Sequence, residues 1–263
     1  MKQIKKRTPI YFRVHLILGI IVIATMVRQF FLENLEGVLM CLLTLLLFMI
    51  PQTIEKRSSI ILPTTLEVII LLFIFSAEIL GEIHNFYGTF KYWDLILHVL
   101  NGFLATAIGF SLIDILNRED RFYIKMSPVF VTLFAFCFSM TIGVLWEFFE
   151  FGVDVFFNMD MQKDTIIHKI VSVKLNPEHV NNPVIWDHIK SVKVMMAGSH
   201  HYHEINGYLD IGLLDTMKDL MVNFVGAVIF GILYLKNRDK YHFAGRFIPK
   251  FNEPEEKHRK IDE

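Results

Sequence analysis

The chain has 263 residues and only two cysteines, Cys41 and Cys137, which fall in different apolar stretches. A disulfide-stapled scaffold needs more of them, placed in loops, so both read as small core residues. No basic stripe interleaved with aromatics is present, which argues against a nucleic-acid-binding surface. The formal net charge of −1 offers no general attraction to a polyanion. Internal repeats and low-complexity runs are missing, which excludes a solenoid. The basic start Met-Lys-Gln-Ile-Lys-Lys-Arg, followed by the apolar stretch Val14–Val27, has the charge pattern of a signal peptide. No small-x-small cleavage site follows, because Ala24-Thr25-Met26-Val27-Arg28 does not fit one, so this stretch reads as an uncleaved signal-anchor helix.

Hydrophobic residues, by contrast, are abundant. They make up 53% of the chain, with 25 phenylalanines and a positive mean hydropathy. The runs Val38–Ile50, Val68–Ala77, Phe103–Ile113 and Val129–Val144 contain no charged residue and read as membrane spans. The expected fold is all-α, a polytopic integral membrane protein of about six transmembrane helices near 11–27, 35–52, 60–81, 93–115, 128–151 and 213–235. At a rise of about 1.5 Å per residue, these lengths suffice to cross the hydrocarbon core. Ser127-Pro128 predicts a helix start, with a serine N-cap and proline where its missing N–H costs nothing. Pro63 similarly falls in the first turn of the third span.

Lysine and arginine set the orientation. They gather in the N-terminal tail, at Lys56 and Arg57, at Arg118, Arg121 and Lys125, and in the tail after the last span, where eight occur from Lys236 to Lys260. The alternate connections hold Arg28, Lys91 and five lysines within 158–212. Both termini are therefore expected in the cytoplasm. Residues 1–263 read as a single membrane domain, with an extracytoplasmic insertion at 158–212 between helices 5 and 6 and a cytoplasmic tail at 237–263. Within the insertion, Ile166–Leu175 and Val184–Met196 predict a short hairpin or a small helix lying on the membrane.

Ionisable residues stand out against this background because hydrocarbon cannot solvate them. Glu78 and Glu82, Asp94 and His98, Glu147, Glu150 and Asp154, and Asp215 and Asp219 all sit at the outward ends of four spans, and Asn223 follows one turn on. The spacings i,i+4, i,i+3,i+7 and i,i+4,i+8 put each set on one helix face. Eight carboxylates then face one histidine and Lys218, and carboxylates that close cannot all stay ionised without a counter-charge. Either a bound cation supplies it, or several of the acids are protonated and can exchange protons. Oxygen-rich ligands with one imidazole suit a divalent metal such as Mg, Mn or Zn, with Asp94, His98, Glu147, Asp154, Asp215 and Asp219 as the metal ligands. Glu147, Glu150 and His98 are the acid/base candidates, and Gln162, Asn223 and Lys218 the substrate-binding ones. Lys218 also reads as an ion-pair partner of Asp219 and Asp215. The insertion holds His168, His179, His188, His200, His201 and His203, without the His-Glu-x-x-His spacing of metalloproteases. Glu-Glu-x-x-x-Arg, Gly-x-Ser-x-Gly, lipid-phosphatase and CDP-alcohol-transferase patterns are likewise missing.

Three segments carry a family resemblance: Asp94-x-x-x-His98-x-x-x-Gly102; Glu147-x-x-Glu150-x-x-x-Asp154 with Met161-Gln162; and Asp215-Thr216-x-x-Asp219-x-x-x-Asn223-x-x-Gly226. In these the chain resembles the YjdF-type bacterial inner-membrane proteins, a family of unknown function, over roughly residues 90–230. More distantly it is similar to VanZ-like proteins, which are linked to teicoplanin resistance. The histidine-bearing insertion departs from their compact pattern. The resemblance implies the bacterial cytoplasmic membrane and an envelope-related role, and no particular reaction.

Three functions fit these residues: a metal-dependent hydrolase or transferase acting on a membrane lipid or lipid-linked envelope precursor, a proton- or ion-coupled transporter, and a non-catalytic factor that binds a lipid headgroup or partner protein. Sequence leaves oligomeric state open.

Overall fold

A computed structural model describes residues 8–57, 60–116, 126–236 and 246–251. It is mostly helical. Five helices among the described residues are long and apolar enough to cross a membrane: Pro9–Phe31, Leu35–Thr53, Trp93–Ile113, Pro128–Phe157 and Leu213–Lys236. The expected third span is also helical but not uniformly α. An α-helix over Thr64–Ile74 passes into a π-helix over Phe75–Ile83, which breaks its regular length. Two compact units result, Met1–Gly143 with Asp219–Glu263, and Val144–Lys218.

In the first unit, α1 (Pro9–Phe31) turns tightly into α2 (Leu35–Leu47). Glu33 takes a left-handed conformation, and the Asn34 side chain caps α2 by accepting from the Gly37 N–H at 3.1 Å while donating to Gln29 at 3.1 Å. Asn34 therefore ends one helix and begins the next. Tyr11, Leu18 and Val22 of α1 pack with Cys41 and Phe48 and with Leu71 and Ile79 of the third helix as one core cluster. After a short α3 (Ile50–Arg57) comes strand β1 (Ile60–Ile61), then α4 (Thr64–Ile74), which Pro63 precedes as N-cap instead of lying inside its first turn. The π turn sets Trp93, whose indole donates to the Ser76 carbonyl at 3.3 Å, across the connection that carries α5 (Phe86–Thr89).

Helices α6 (Trp93–Leu116), α7 (Pro128–Phe157) and α8 (Leu213–Lys236) complete the helical set. Ser127 caps α7 as expected, accepting from the Phe130 N–H at 3.3 Å. Phe110, Ala107, Ala135 and Phe230 form a second core, onto which Phe247 packs against Phe103 at 5.3 Å. The expected tail 237–263 is described only over 246–251. There Ser111 donates to the Pro249 carbonyl at 2.9 Å, and β8 (Lys250–Phe251) pairs with β1. Cys41 is buried, whereas Cys137 is exposed on α7, so the core expectation holds for the first and is corrected for the second. Helical phase explains it: Cys137 lies two residues from both Ala135 and Ser139, which are buried on the opposite side of α7.

The second unit departs from the all-α expectation. Its connecting segment forms antiparallel pairs: β2 (Thr165–Ile167) with β7 (Tyr208–Asp210), β3 (Ile170–Ser172) with β4 (Val184–Trp186), and β5 (Val192–Met195) with β6 (Tyr202–Ile205). The second stretch read from sequence thus splits between β4 and β5. Asn176 builds the β3–β4 turn, donating to the Asn182 carbonyl at 2.8 Å and accepting from the Glu178 N–H at 2.9 Å. At the β4–β5 connection, the Asp187 carboxyl accepts from the His188 N–H at 2.8 Å and faces Lys169 at 3.5 Å. The backbone donor first, then the lysine, hold this acid below its ordinary range, against an opposing effect of desolvation.

Two glycines are forced by close helix approach. A Cβ on Gly226 of α8 would lie 2.0 Å from the Val99 carbonyl oxygen of α6, and one on Gly102 would lie 2.1 Å from the Asn223 carbonyl oxygen. Neither neighbour is a side chain that can swing away. Gly19 of α1, by contrast, has nothing within 4 Å of its missing Cβ. Gly226→Ala is therefore expected to lower the melting temperature in detergent by an overpacking cost of about 1–3 kcal/mol or more. Gly19→Ala should be neutral or stabilising by up to about 1 kcal/mol. Equal effects of the two would contradict the packing described.

Candidate functional site

Within the first unit, the buried site grows from a polar node where α6, α7 and α8 meet. Asn223 is fully buried. Its oxygen accepts from the Asn101 amide at 3.1 Å, and its own amide donates to the Ser139 carbonyl at 3.4 Å. Ser139 in turn donates to the Gly102 carbonyl at 2.9 Å, which also accepts from Thr106 at 2.7 Å. A buried amide is costly unless its donors and acceptors are satisfied, and here three helices satisfy one another.

One turn before Asn223 on α8 lies Asp219, and one turn before Gly102 on α6 lies His98. His98 Nε2 stands 3.5 Å from Asp94 Oδ1 and 3.9 Å from Asp219 Oδ2. The side chains of His98 and Asp219 are only 8% and 1% exposed, and that of Asp94 is 29% exposed, so the cluster opens on one side only. Asp94, His98 and Asp219 each offer a ligand atom within 4.8 Å of the others, the one such group of three among the described residues. Ligands bound at about 2.0–2.2 Å in a tetrahedral shell stand about 3.4 Å apart, near the 3.5 and 3.9 Å between the imidazole nitrogen and the two carboxylates. An imidazole with two carboxylates is a donor set for Zn²⁺, Mn²⁺ or Mg²⁺ and not for copper(I).

In the second unit, Glu147 and Glu150 are buried near the end of α7 while Phe148, Phe149 and Phe151 are exposed. This is the stripe that the i,i+3 spacing predicts. Glu150 accepts from the Trp146 indole at 2.9 Å. Asp154, Asp215 and Gln162 come together, but in bonds to the protein itself. Asp154 accepts from the Met161 and Gln162 amides at 2.6 and 2.9 Å, and Asp215 accepts from the Lys163 amide at 2.7 Å. The Gln162 side chain donates to Thr216 at 2.6 Å. The Lys163 ammonium meets the Asp160 carbonyl. Asp164 is pushed above the ordinary carboxyl range by burial first, then by the nearby carboxylates of Asp160, Asp210 and Asp154.

Lys218 and Glu82 are exposed, Glu78 is half-buried, and Glu67 is fully buried on α4. The six histidines of the connecting segment are exposed. His168 contacts the Ile189 carbonyl at 2.8 Å through Nδ1, and no metal-capable group of three forms there among the described residues. Sequence reading passed over Asn101 and Ser139. Helical phase carried the signal, since Asn101 lies three residues after His98 and Ser139 eight residues before Glu147, on the faces already picked out by charge.

With this geometry in place, the comparisons decide the family. Residues 14–240 match the model of the family described as "Predicted membrane protein (DUF2238)". The chain belongs to that family. The match carries the YjdF-type resemblance and lends nothing to the VanZ-like one. A protein of Thermotoga maritima, named only as uncharacterized, is 30% identical over 104 residues, or 40% of this chain. The chain spans about half the length of that relative, 52%. No solved structure matches. The protein is thus a multi-pass membrane protein of a family without an assigned function, with a buried Asp94–His98–Asp219 group.

The Asp154 clamp makes a direct prediction. Hydrogen bonds to a charged acceptor contribute about 1.5–3 kcal/mol each, and an asparagine oxygen retains part of that. Asp154→Asn is expected to speed amide exchange at Met161 and Gln162 by one to two orders of magnitude, while exchange across α8 after Asn223 is unchanged. Unaltered exchange at both amides would remove the clamp.

Proposed function

We propose that the chain is a bacterial cytoplasmic-membrane protein of six spans, with both termini in the cytoplasm and its acidic/histidine group in the outer half of the bilayer. In this reading it is a metal-dependent hydrolase or transferase acting on a membrane lipid or lipid-linked envelope precursor. The supporting observation is the convergence of His98 Nε2 with carboxylates from two different helices in a nearly water-free position. Intramembrane charges of that kind are retained for function. Asp94, His98 and Asp219 would hold the ion. A bound divalent metal polarises a phosphoryl or acyl oxygen and lowers the pKa of water. By its helical spacing in the sequence, Glu147 or Glu150 is the candidate general base, and Asn223 holds α8 so that Asp219 faces inward.

Metal content tests this reading. Protein purified without chelator is expected to carry a stoichiometric divalent ion, as measured by mass spectrometry, and His98→Ala and Asp219→Asn to lose it. Glu147→Gln should keep the ion and lose at least about 100-fold in turnover of a lipid-linked precursor in proteoliposomes, the usual scale for a general base. Absence of bound metal together with unchanged turnover in Glu147→Gln would sink it.

A second reading, a proton- or ion-coupled transporter, is favoured by one feature. The third helix changes from α to π at Phe75, and Glu67 is fully buried on the α side of that change. Irregular helices and deep acids mark transport sites. Proton flux into proteoliposomes that disappears in Asp219→Asn would place this reading first, and no flux above protein-free vesicles would dismiss it.

A further inference from the structure

The connecting segment leaves large apolar side chains in the open, and the structure indicates what covers them. Val171 and Ile185 are direct cross-strand partners in the β3–β4 pair and are 55% and 59% exposed. Trp186, the next residue in β4, is 52% exposed on the other face of the pair. At the other hairpin, Met195 pairs with Tyr202, both more than half exposed, and Met196 follows at the start of the turn. Lys193 lies over the Tyr202 ring at 4.3 Å. Exposed apolar groups gathered like this mark a contact surface.

Tethering selects the occupant. The segment leaves α7 after Phe157 and enters α8 at Leu213, and both helices are long and apolar enough to span. It cannot rise far from their ends. The Met161 and Gln162 amides are bonded back to Asp154 in the last turns of α7, and the Lys163 amide to Asp215 in the first turn of α8. Strand pairing begins at once, Thr165 with Asp210. Moreover, α7 has 30 residues, about 45 Å at 1.5 Å each, against a hydrocarbon core of about 30 Å, so part of it stands outside the hydrocarbon. Near those helix ends Phe156, Phe157, Met159 and Ile211 are exposed as well.

We propose that the hairpins of the connecting segment dip into the headgroup layer of the membrane that the helices span, so that side chains of both faces, Trp186 on one and Ile185 and Val171 on the other, together with Met195, Met196 and Tyr202, sit at the headgroup–acyl boundary. Tryptophan and tyrosine favour that layer, and lysine reaches out of it along its aliphatic stem. The charge balance of the segment specifies the character of the contact. Residues 158–212 contain five lysines against six aspartates and glutamates, so seating is apolar and not an attraction to anionic lipid.

The test uses the full chain in phosphatidylcholine vesicles. The protein has three tryptophans, and replacing Trp93 and Trp146 with phenylalanine leaves Trp186 as the sole emitter. Lipid brominated near the glycerol end of its acyl chains should quench Trp186 severalfold more than aqueous iodide does. Adding anionic lipid or raising salt should leave this ratio unchanged. Should the double replacement fail to fold, a nitroxide at Met195 (M195C with Cys41→Ala and Cys137→Ala) gives the same information, with oxygen expected to relax it more than a water-soluble nickel chelate. Trp186 or the nitroxide fully open to the aqueous reagent would overturn the proposal. Shielding from both lipid and water reagents would also overturn it, since a second copy or a partner protein would then occupy the face.

Discussion

Asn223 sets the geometry on which the rest of the buried site depends. A carboxamide in a membrane-spanning helix has no water to turn to, and its cost is removed only when donor and acceptor are both met. Asn101 and the Ser139 carbonyl meet them, and that fixes α8 in rotation and depth against α6 and α7 within the first unit. The backbones approach so closely at Gly102 and Gly226 that no side chain fits between them. With α8 held in this way, Asp219 one turn earlier faces His98, not lipid. The polar node is a positional device, and the acid/histidine group is its consequence.

The carboxylates divide by what they contact. Asp94 and Asp219 stand around an imidazole nitrogen at distances longer than good hydrogen bonds, a spacing suited to a shared ion. Asp154 and Asp215 instead take up backbone amides of the connecting segment at ordinary hydrogen-bond lengths. Charge alone does not separate these roles, because both kinds of aspartate sit at helix ends on an inward stripe. The amides that reach them do. Along α7 the buried positions include the small residues Ala135, Ser139 and Gly143, and then the acids Glu147 and Glu150.

Much of the helical framework was legible in the sequence. Charge-free apolar runs located three of the five long helices, the stretch Val14–Val27 after the basic start located α1, the span expected at 213–235 located α8, and Ser127-Pro128 marked the start of α7. The i,i+4 spacing of Asp94 and His98 placed both on one face, and both contribute to the group that forms. Other features were not legible. The π turn at Phe75 lies among contacts that exist only once the chain has folded back, Tyr87 against Gly81 and Trp93 on the Ser76 carbonyl. The strands of 158–212 are short and exposed, with weak alternation, and only their pairing partners define them. Cys137 looked like a core residue by type, yet helical phase turned it outward. Nothing in the composition of residues 246–251 announces that Phe247 packs on Phe103 and Phe230.

Sequence by itself determined that this chain belongs in a membrane, because runs of that length and apolarity have no other stable place, and that its inward acids needed a reason. It also determined which helix faces carry them, since 3.6 residues per turn is a property of the backbone. Tertiary structure decided which of those acids meet. A helix face becomes a site only when another helix is held opposite it, and that holding is done by Asn223, Asn101 and Ser139 and by two glycines whose contacts lie across helices far apart in the chain.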